Sequence, residues 1–235
     1  MTAISKPSPE PEGSIENLSR APVEAGLEPV REIRVPQQAR SRRTRERTLE
    51  AAADCFEERG FDETTTDEIA RRAGISVGSV YAYFRDKRAI LLELLHRTIA
   101  EIAEIVEAGL APGAWRDDDP RGSVRELVGR IFHARQHRPG TQRILWERFF
   151  KDPEFQAVME SFEVRLQGAI VANLERLAEQ GKLRISDLAT ATYLVQLSIE
   201  WVSSRLLLSE PAHDVDAIAD AASDMVVRFL FRDDA

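Results

Sequence analysis

Apolar positions along this chain fall at helical spacing from about residue 43 almost to its end. Leu49, Ala52, Ala53 and Phe56 recur at i, i+3, i+4 and i+7, one side of a helix predicted over about Arg43–Arg59 and stopped by Gly60. Thr65-Thr66-Asp67-Glu68 has the spacing of a capping box. The threonine oxygen accepts from the third backbone N–H and the glutamate reaches back, so a second helix begins there. It ends at Ala73-Gly74, where glycine can take the left-handed conformation that closes a helix. Ser76 caps a short third helix, Val77 to about Phe84. Asp86 caps a long fourth, Lys87 to about Ala108, with Ile90, Leu91, Leu94, Leu95, Thr98 and Ile102 on its core side.

A Gly-, Pro- and Asp-rich loop follows at Gly109–Gly122. Further helices are predicted over Ser123–Gln136, Thr141–Phe150, Pro153–Gln180, Asp187–Leu208 and Ala212–Phe231. The breaks fall at Arg138-Pro139-Gly140, Asp152-Pro153, Gly181 and Pro211, each a chemical breaker or starter of helices. No alternating apolar and polar run is flanked by hairpin turns, so no strand is predicted. The pattern is all-α, with about nine helices. Residues 1–38 differ: they hold Pro7, Pro9, Pro11, Pro22, Pro29 and Pro36 among scattered glutamates and few large apolar residues. Such a stretch buries too little surface to offset its ordering entropy and is predicted to be a disordered tail. Residues 39–88 form a first domain and 89–235 a larger second one.

Charge sharpens this division. The chain carries a formal net charge of −8, which taken alone argues against a polyanionic partner. Residues 39–88, however, hold eleven Lys/Arg against ten Asp/Glu, whereas 89–235 hold seventeen against twenty-four. Arg40, Arg42, Arg43, Arg45 and Arg47 crowd into eight positions opposed by Glu46 alone. One cysteine, Cys55, rules out an intramolecular disulfide and reads as a small core residue rather than a redox sensor. The N-terminus lacks the basic and apolar regions of a signal peptide, and no apolar stretch reaches the roughly 18 residues of a membrane span. A cytoplasmic protein is expected.

Two short helices joined through Ala73-Gly74-Ile75-Ser76 have the spacing of a helix-turn-helix, whose second helix enters the major groove. With Val80 and Phe84 facing the core, Val77, Gly78, Ser79, Tyr81 and Tyr83 lie toward the opposite side. Gly60-Phe61, Thr65, Ile69-Ala70, Ala73-Gly74-Ile75-Ser76, Gly78-Ser79-Val80-Tyr81, Phe84 and Lys87 together resemble the signature of the TetR family of bacterial transcriptional regulators, over roughly residues 43–95. Cys55, where an aliphatic residue is commoner, and Tyr83, where histidine is frequent, depart mildly from it. The resemblance implies DNA contacts, and the chemistry of each residue suits its role. Thr65 and Thr66 sit at a helix N-terminus that favours phosphate. Tyr81, Tyr83 and Lys87 would meet phosphate oxygens, and Val77, Gly78 and Ser79 base edges. Arg40, Arg42, Arg43 and Arg45, just ahead of the first helix, would form a minor-groove or phosphate-binding arm.

The resemblance also implies a body that pairs into a homodimer through the last two helices, about 187–208 and 212–231, and encloses a small-molecule effector site. Between Leu188 and Ser204 only Glu200 is charged, and a helix apolar on nearly all sides needs covering. The last helix carries a stripe of Val215, Ile218, Ala219, Ala222, Met225, Val226 and Phe229. For the effector site the candidates are the aromatic and polar residues Trp146, Phe149, Phe150, Phe155, Met159, Phe162, Tyr193 and Gln196, with Gln167 and Asn173 as further polar anchors. By itself, an aromatic stripe at helical spacing is more often plain core than a pocket lining. A hydrophobic or amphipathic effector fits such a lining. His133 and His137 stand four apart among arginines with no acid or cysteine beside them, so a solvated face outweighs a metal site. No nucleophile elbow, phosphate loop or paired-carboxylate site occurs, and neither catalysis nor a cofactor is expected. The reading is therefore a repressor released from a palindromic operator by its effector. An activator of the same fold, or a nonspecific architectural DNA-binding protein, stands as the alternative.

Overall fold

In the computed structural model, residues 39–208 and 214–232 are described; the predicted tail over 1–38 and the predicted start of the last helix at Ala212 lie outside them. The described residues form helices α1 (Ala39–Glu63), α2 (Thr66–Ala73), α3 (Val77–Tyr81), α4 (Lys87–Leu110), α5 (Pro120–Arg135), α6 (Pro139–Phe149), α7 (Pro153–Glu179), α8 (Leu188–Leu208) and α9 (Val215–Leu230). No strand longer than an isolated bridge accompanies them; the two bridges pair Pro112 with Trp115 and Leu183 with Phe231.

Most helix starts follow the chemistry read from the sequence. Proline occupies the first turn of α5, α6 and α7, where its missing N–H costs nothing. Asp119, Asp152 and Asp214 cap α5, α7 and α9 through their carboxylates. Several boundaries moved: α5 begins at Pro120, inside the predicted loop and three residues before Ser123, because the Asp119 carboxylate caps it there, and α6 begins at Pro139, two residues before Thr141. α1 begins at Ala39, four residues before the predicted start, because arginine is a good helix former and nothing after Pro36 breaks the turn. α3 ends at Tyr81 rather than Phe84, although the Phe84 N–H still donates to the Val80 carbonyl at 2.9 Å. Within α1, Gly60 leaves the helix at φ 79° and ψ 173°, the predicted stop, and one further turn follows it.

Burial divides into two apolar cores. One joins Leu49, Phe56, Ile69, Val80 and Phe84 to Ile90, Leu91 and Leu95 of α4, and continues into α6 and α7 through Leu145, Phe155 and Phe162. The other joins Val128 and Phe132 of α5 to Leu177, Ile199, Val226 and Phe231. α4, with nine buried residues from Ile90 to Val106, packs on α1 and runs along α5 and α7.

Candidate nucleic-acid interface and buried cavity

Local capping sets the shape of the segment from Thr65 to Lys87. The Glu68 N–H donates to Thr65 Oγ1 at 3.2 Å and the Thr65 N–H to Glu68 Oε2 at 3.1 Å, which completes the capping box. That Thr65 N–H bond holds the Glu68 carboxyl below the usual range. Gly74 ends α2 in the left-handed region, φ 63° and ψ 40°, and the Ile75 N–H reaches back to the Ala70 carbonyl at 3.0 Å. Ser76 Oγ accepts from the Ser79 N–H at 3.1 Å and starts α3. Val80 and Phe84 are buried, as their i, i+4 spacing requires. On the outer side Tyr81 is 52% exposed and Gly78 is exposed, while Val77, Ser79 and Tyr83 are half-buried. The Tyr81 hydroxyl lies 3.0 Å from Thr66 Oγ1, and the Tyr83 hydroxyl 2.8 Å from Ser41 Oγ.

The Tyr83–Ser41 bond brings the start of α1 beside α3. Arg40, Arg42 and Arg43 are therefore part of a helix rather than an arm ahead of it, and all three are exposed with no ion pair among the described residues. Arg45 departs from the expectation. Its guanidinium lies 2.7 Å from Glu93 Oε1 and 5.4 Å over the Phe84 ring, so it braces α1 on α4. Lys87 departs further. Its ammonium donates to the carbonyls of Phe61, Asp62 and Thr64 at 2.7, 2.9 and 2.9 Å, which uses all three hydrogens on chain ends left open after Gly60. Thr65 likewise spends its hydroxyl within the capping box.

The interface is tied to the body at points no local motif announces. The Glu57 carboxylate accepts from the N–H groups of Gly140 and Thr141, both at 2.7 Å, and so caps α6 from α1. Arg138 pairs with Asp54 at 2.6 Å. Arg88, at the start of α4, forks onto both oxygens of Asp152 at 2.7 and 2.8 Å and also meets Glu154 at 2.7 Å. Ser41, Glu57 and Arg88 find partners 42, 83 and 64 residues away. Sequence reasoning missed them because side-chain periodicity reports only neighbours within a few turns.

The predicted effector-site residues separate into four places. A cavity of about 110 Å³ among α4, α5, α7, α8 and α9 includes Phe162 and Gln196, with Asn173 also in its wall, but is otherwise lined by residues not singled out, among them Trp115, Val128, Arg135 and Glu200. An adjoining cavity of about 30 Å³ is lined by Trp146, Phe149, Met159 and Phe162. Phe150 and Tyr193 line neither; they are 58% and 55% exposed. The Phe150 ring instead joins Trp146 and Trp201, whose own rings stack at 5.5 Å. Phe155 is fully buried core. An aromatic stripe fixes which residues are apolar, not which of them border empty space.

Other candidates resolve simply. Cys55 is buried, and burial pushes its thiol up, away from the reactive thiolate. His133 Nε2 lies 3.2 Å from Asp216, and no group of three or more metal-ligating side chains occurs among the described residues. Among them, too, no helix is long and apolar enough to cross a membrane.

Residues 49–94 match the family model described as bacterial regulatory proteins, tetR family. The HTH-type transcriptional regulator BetI of Stenotrophomonas maltophilia (strain R551-3) is 27% identical over 164 residues, 68% of this chain and 76% of that protein. Among solved structures, SmeT, the repressor of the Stenotrophomonas maltophilia multidrug efflux pump SmeDEF, covers 81% of this chain and 93% of its own at 23% identity and a TM-score of 0.65. PfmR from Thermus thermophilus, a TetR family regulator, covers 79% and 100% at 24% identity and a TM-score of 0.62. These two likenesses concern the fold.

Proposed function

Since the chain belongs to the TetR family of bacterial transcriptional regulators, we propose that it is an operator-binding repressor that works as a twofold dimer and lets go when a small amphipathic molecule occupies the buried cavity. One observation carries the DNA-binding part: Tyr81 and Gly78 on the open side of α3 stand beside a helix start bearing Arg40, Arg42 and Arg43, exposed and without ion-pair partners among the described residues. Those three arginines, Thr66, Tyr81 and Tyr83 take phosphate, and Val77, Gly78 and Ser79 meet base edges. Lys87, Arg45 and Thr65 serve as struts that hold this face in shape.

A helix of five residues reads only a few base pairs, so a palindrome and a second copy are needed, with the two α3 helices about 34–36 Å apart. The outer face of α8, where Tyr193, Leu194, Leu197 and Trp201 are exposed, and Met225 and Phe229 of α9 supply the apolar surface for that pairing. Release by ligand requires differential affinity; a hundredfold weakening of operator binding corresponds to about 2.7 kcal/mol of coupling. The carriers are α4, the Glu57–α6 cap and the Arg88–Asp152 fork, all of which join the cavity walls to the DNA-binding helices.

Fluorescence anisotropy on the DNA upstream of the gene tests this. A palindrome there should bind far more tightly than scrambled DNA, and Tyr81→Phe should weaken it by roughly three- to tenfold, the worth of one hydrogen bond, without lowering stability. Equal affinity for all sequences would sink the operator reading in favour of a nonspecific binder.

A further inference from the structure

The cavity of about 110 Å³ is apolar over nearly all its wall, with one polar pole. Arg135 of α5 and Glu200 of α8 meet there, both buried, 7% and 8% exposed. They do not close a hydrogen-bonded pair: Arg135 Nη2 stands 3.9 Å from Glu200 Oε1, inside ion-pair range but too far for a hydrogen bond. Arg135 Nη1 reaches only Ser204 Oγ, at 3.4 Å. Arg135 Nε and Glu200 Oε1 are buried with no hydrogen-bond partner among the described residues, and so is the indole N–H of Trp115, another wall residue. Native proteins rarely leave such groups unsatisfied, since each costs roughly 1–3 kcal/mol, more when charged. Arg135 also lines the adjoining smaller cavity, as do Ile102 and Phe162, so it sits where the two spaces meet.

The two charges at this pole are not equivalent. A glutamate can shed its charge by taking a proton, and burial pushes the Glu200 carboxyl up, although Arg135 pulls the other way. Nearby Glu163, desolvated and facing the Glu200 charge, is pushed up to about 7. An arginine cannot neutralise itself in this way. The obligatory charge in the wall is therefore positive, and its Nε is a buried donor with no hydrogen-bond partner among the described residues. We infer that the effector is an amphipathic carboxylate whose head group is seated on the Arg135 guanidinium, with its apolar tail among Val128, Phe162 and Ile199. This rests on the reading of the chain as an effector-responsive regulator and names the chemical class that its cavity selects.

The test uses the full chain and three probes of equal tail length: octanoate, octanol and octyltrimethylammonium. Binding is followed by calorimetry and by the fluorescence of Trp115, and release of operator DNA is measured in parallel. Octanoate should bind at least about tenfold more tightly than the other two. Arg135→Met should weaken octanoate by roughly tenfold to a hundredfold while leaving octanol within about threefold. Arg135→Met strands Glu200, so the pair Arg135→Met with Glu200→Gln, which leaves no lone charge in the wall, keeps the test valid if the single variant folds poorly. In that variant octanol should bind as before and the preference for octanoate should be gone.

Tightest binding of octyltrimethylammonium, lost in Glu200→Gln, overturns the carboxylate assignment and leaves the effector-responsive reading standing. Equal binding of all three does the same, and binding of none overturns the assignment too. If octanoate binds through Arg135 yet never alters operator affinity, the site stands and the effector-responsive reading falls.

Discussion

Gly74 is where a single residue decides the geometry of the helix-turn-helix. Its φ of 63° lies in the region that side chains with a Cβ enter at a cost. An added Cβ would also stand 2.8 Å from Arg47 Nη2, which itself donates to the Ala73 carbonyl at the end of α2. Gly74→Ala should therefore lower stability by about 1–2 kcal/mol, measured by urea unfolding, and weaken operator binding further by tilting α3. Gly74→Asn, which tolerates the left-handed region, should recover part of the loss. Equal stability of Gly74→Ala and the parent would mean that the turn relaxes freely and does not position α3.

Among the elements, the joints between helices carry the pH behaviour. Hydrogen bonds from Arg88 hold the Asp152 carboxyl below the usual range; Arg176 does the same for Asp117, and Arg97 for Glu46. A carboxyl depressed in the folded state stabilises it above its unfolded pKa, about 4, and that stabilisation is lost as pH falls further. Glu163, on α7, has the opposite sign. Pushed up to about 7, it binds a proton in the folded chain that the unfolded chain has released, so stability declines as pH rises from about 4 toward 7. Urea midpoints should peak in the mildly acidic range. Glu163→Gln should flatten the decline on the neutral side, and Asp152→Asn the fall on the acid side. A profile unchanged by Glu163→Gln would show that the burial of this group does not persist in solution.

At the scale of the whole molecule, the exposed apolar faces of α8 and α9 are the surface through which we propose that two copies pair. Tyr193, Leu194, Leu197 and Trp201 follow one another along α8 while Ala191 and Ile199 face inward, so the helix is apolar on two sides for two reasons. Leu197→Arg, at a position already 36% exposed in one copy, should leave the helical content and the melting of the single chain nearly intact. It should shift the protein to monomer in sedimentation and weaken operator binding by at least about tenfold, because one α3 alone reads too little DNA. A variant that stays dimeric would move the interface elsewhere.

By itself the sequence determined what local chemistry can determine. The capping box at Thr65, the left-handed Gly74, the Ser76 cap, the proline that opens α7 and the apolar periodicity all act within a few residues, so the all-α fold and the helix-turn-helix were legible from their spacing. Tertiary structure alone decided the rest, because those outcomes depend on neighbours distant along the chain. Lys87 and Arg45 became struts once the carbonyls after Gly60 and the Glu93 carboxylate lay within reach. Phe150 and Tyr193 turned outward, and the cavity pole fell to Arg135 and Glu200, 65 positions apart, which no periodicity relates. Where a void remains between packed helices is a property of how their side chains jointly fill space, and no single stretch of sequence carries that information.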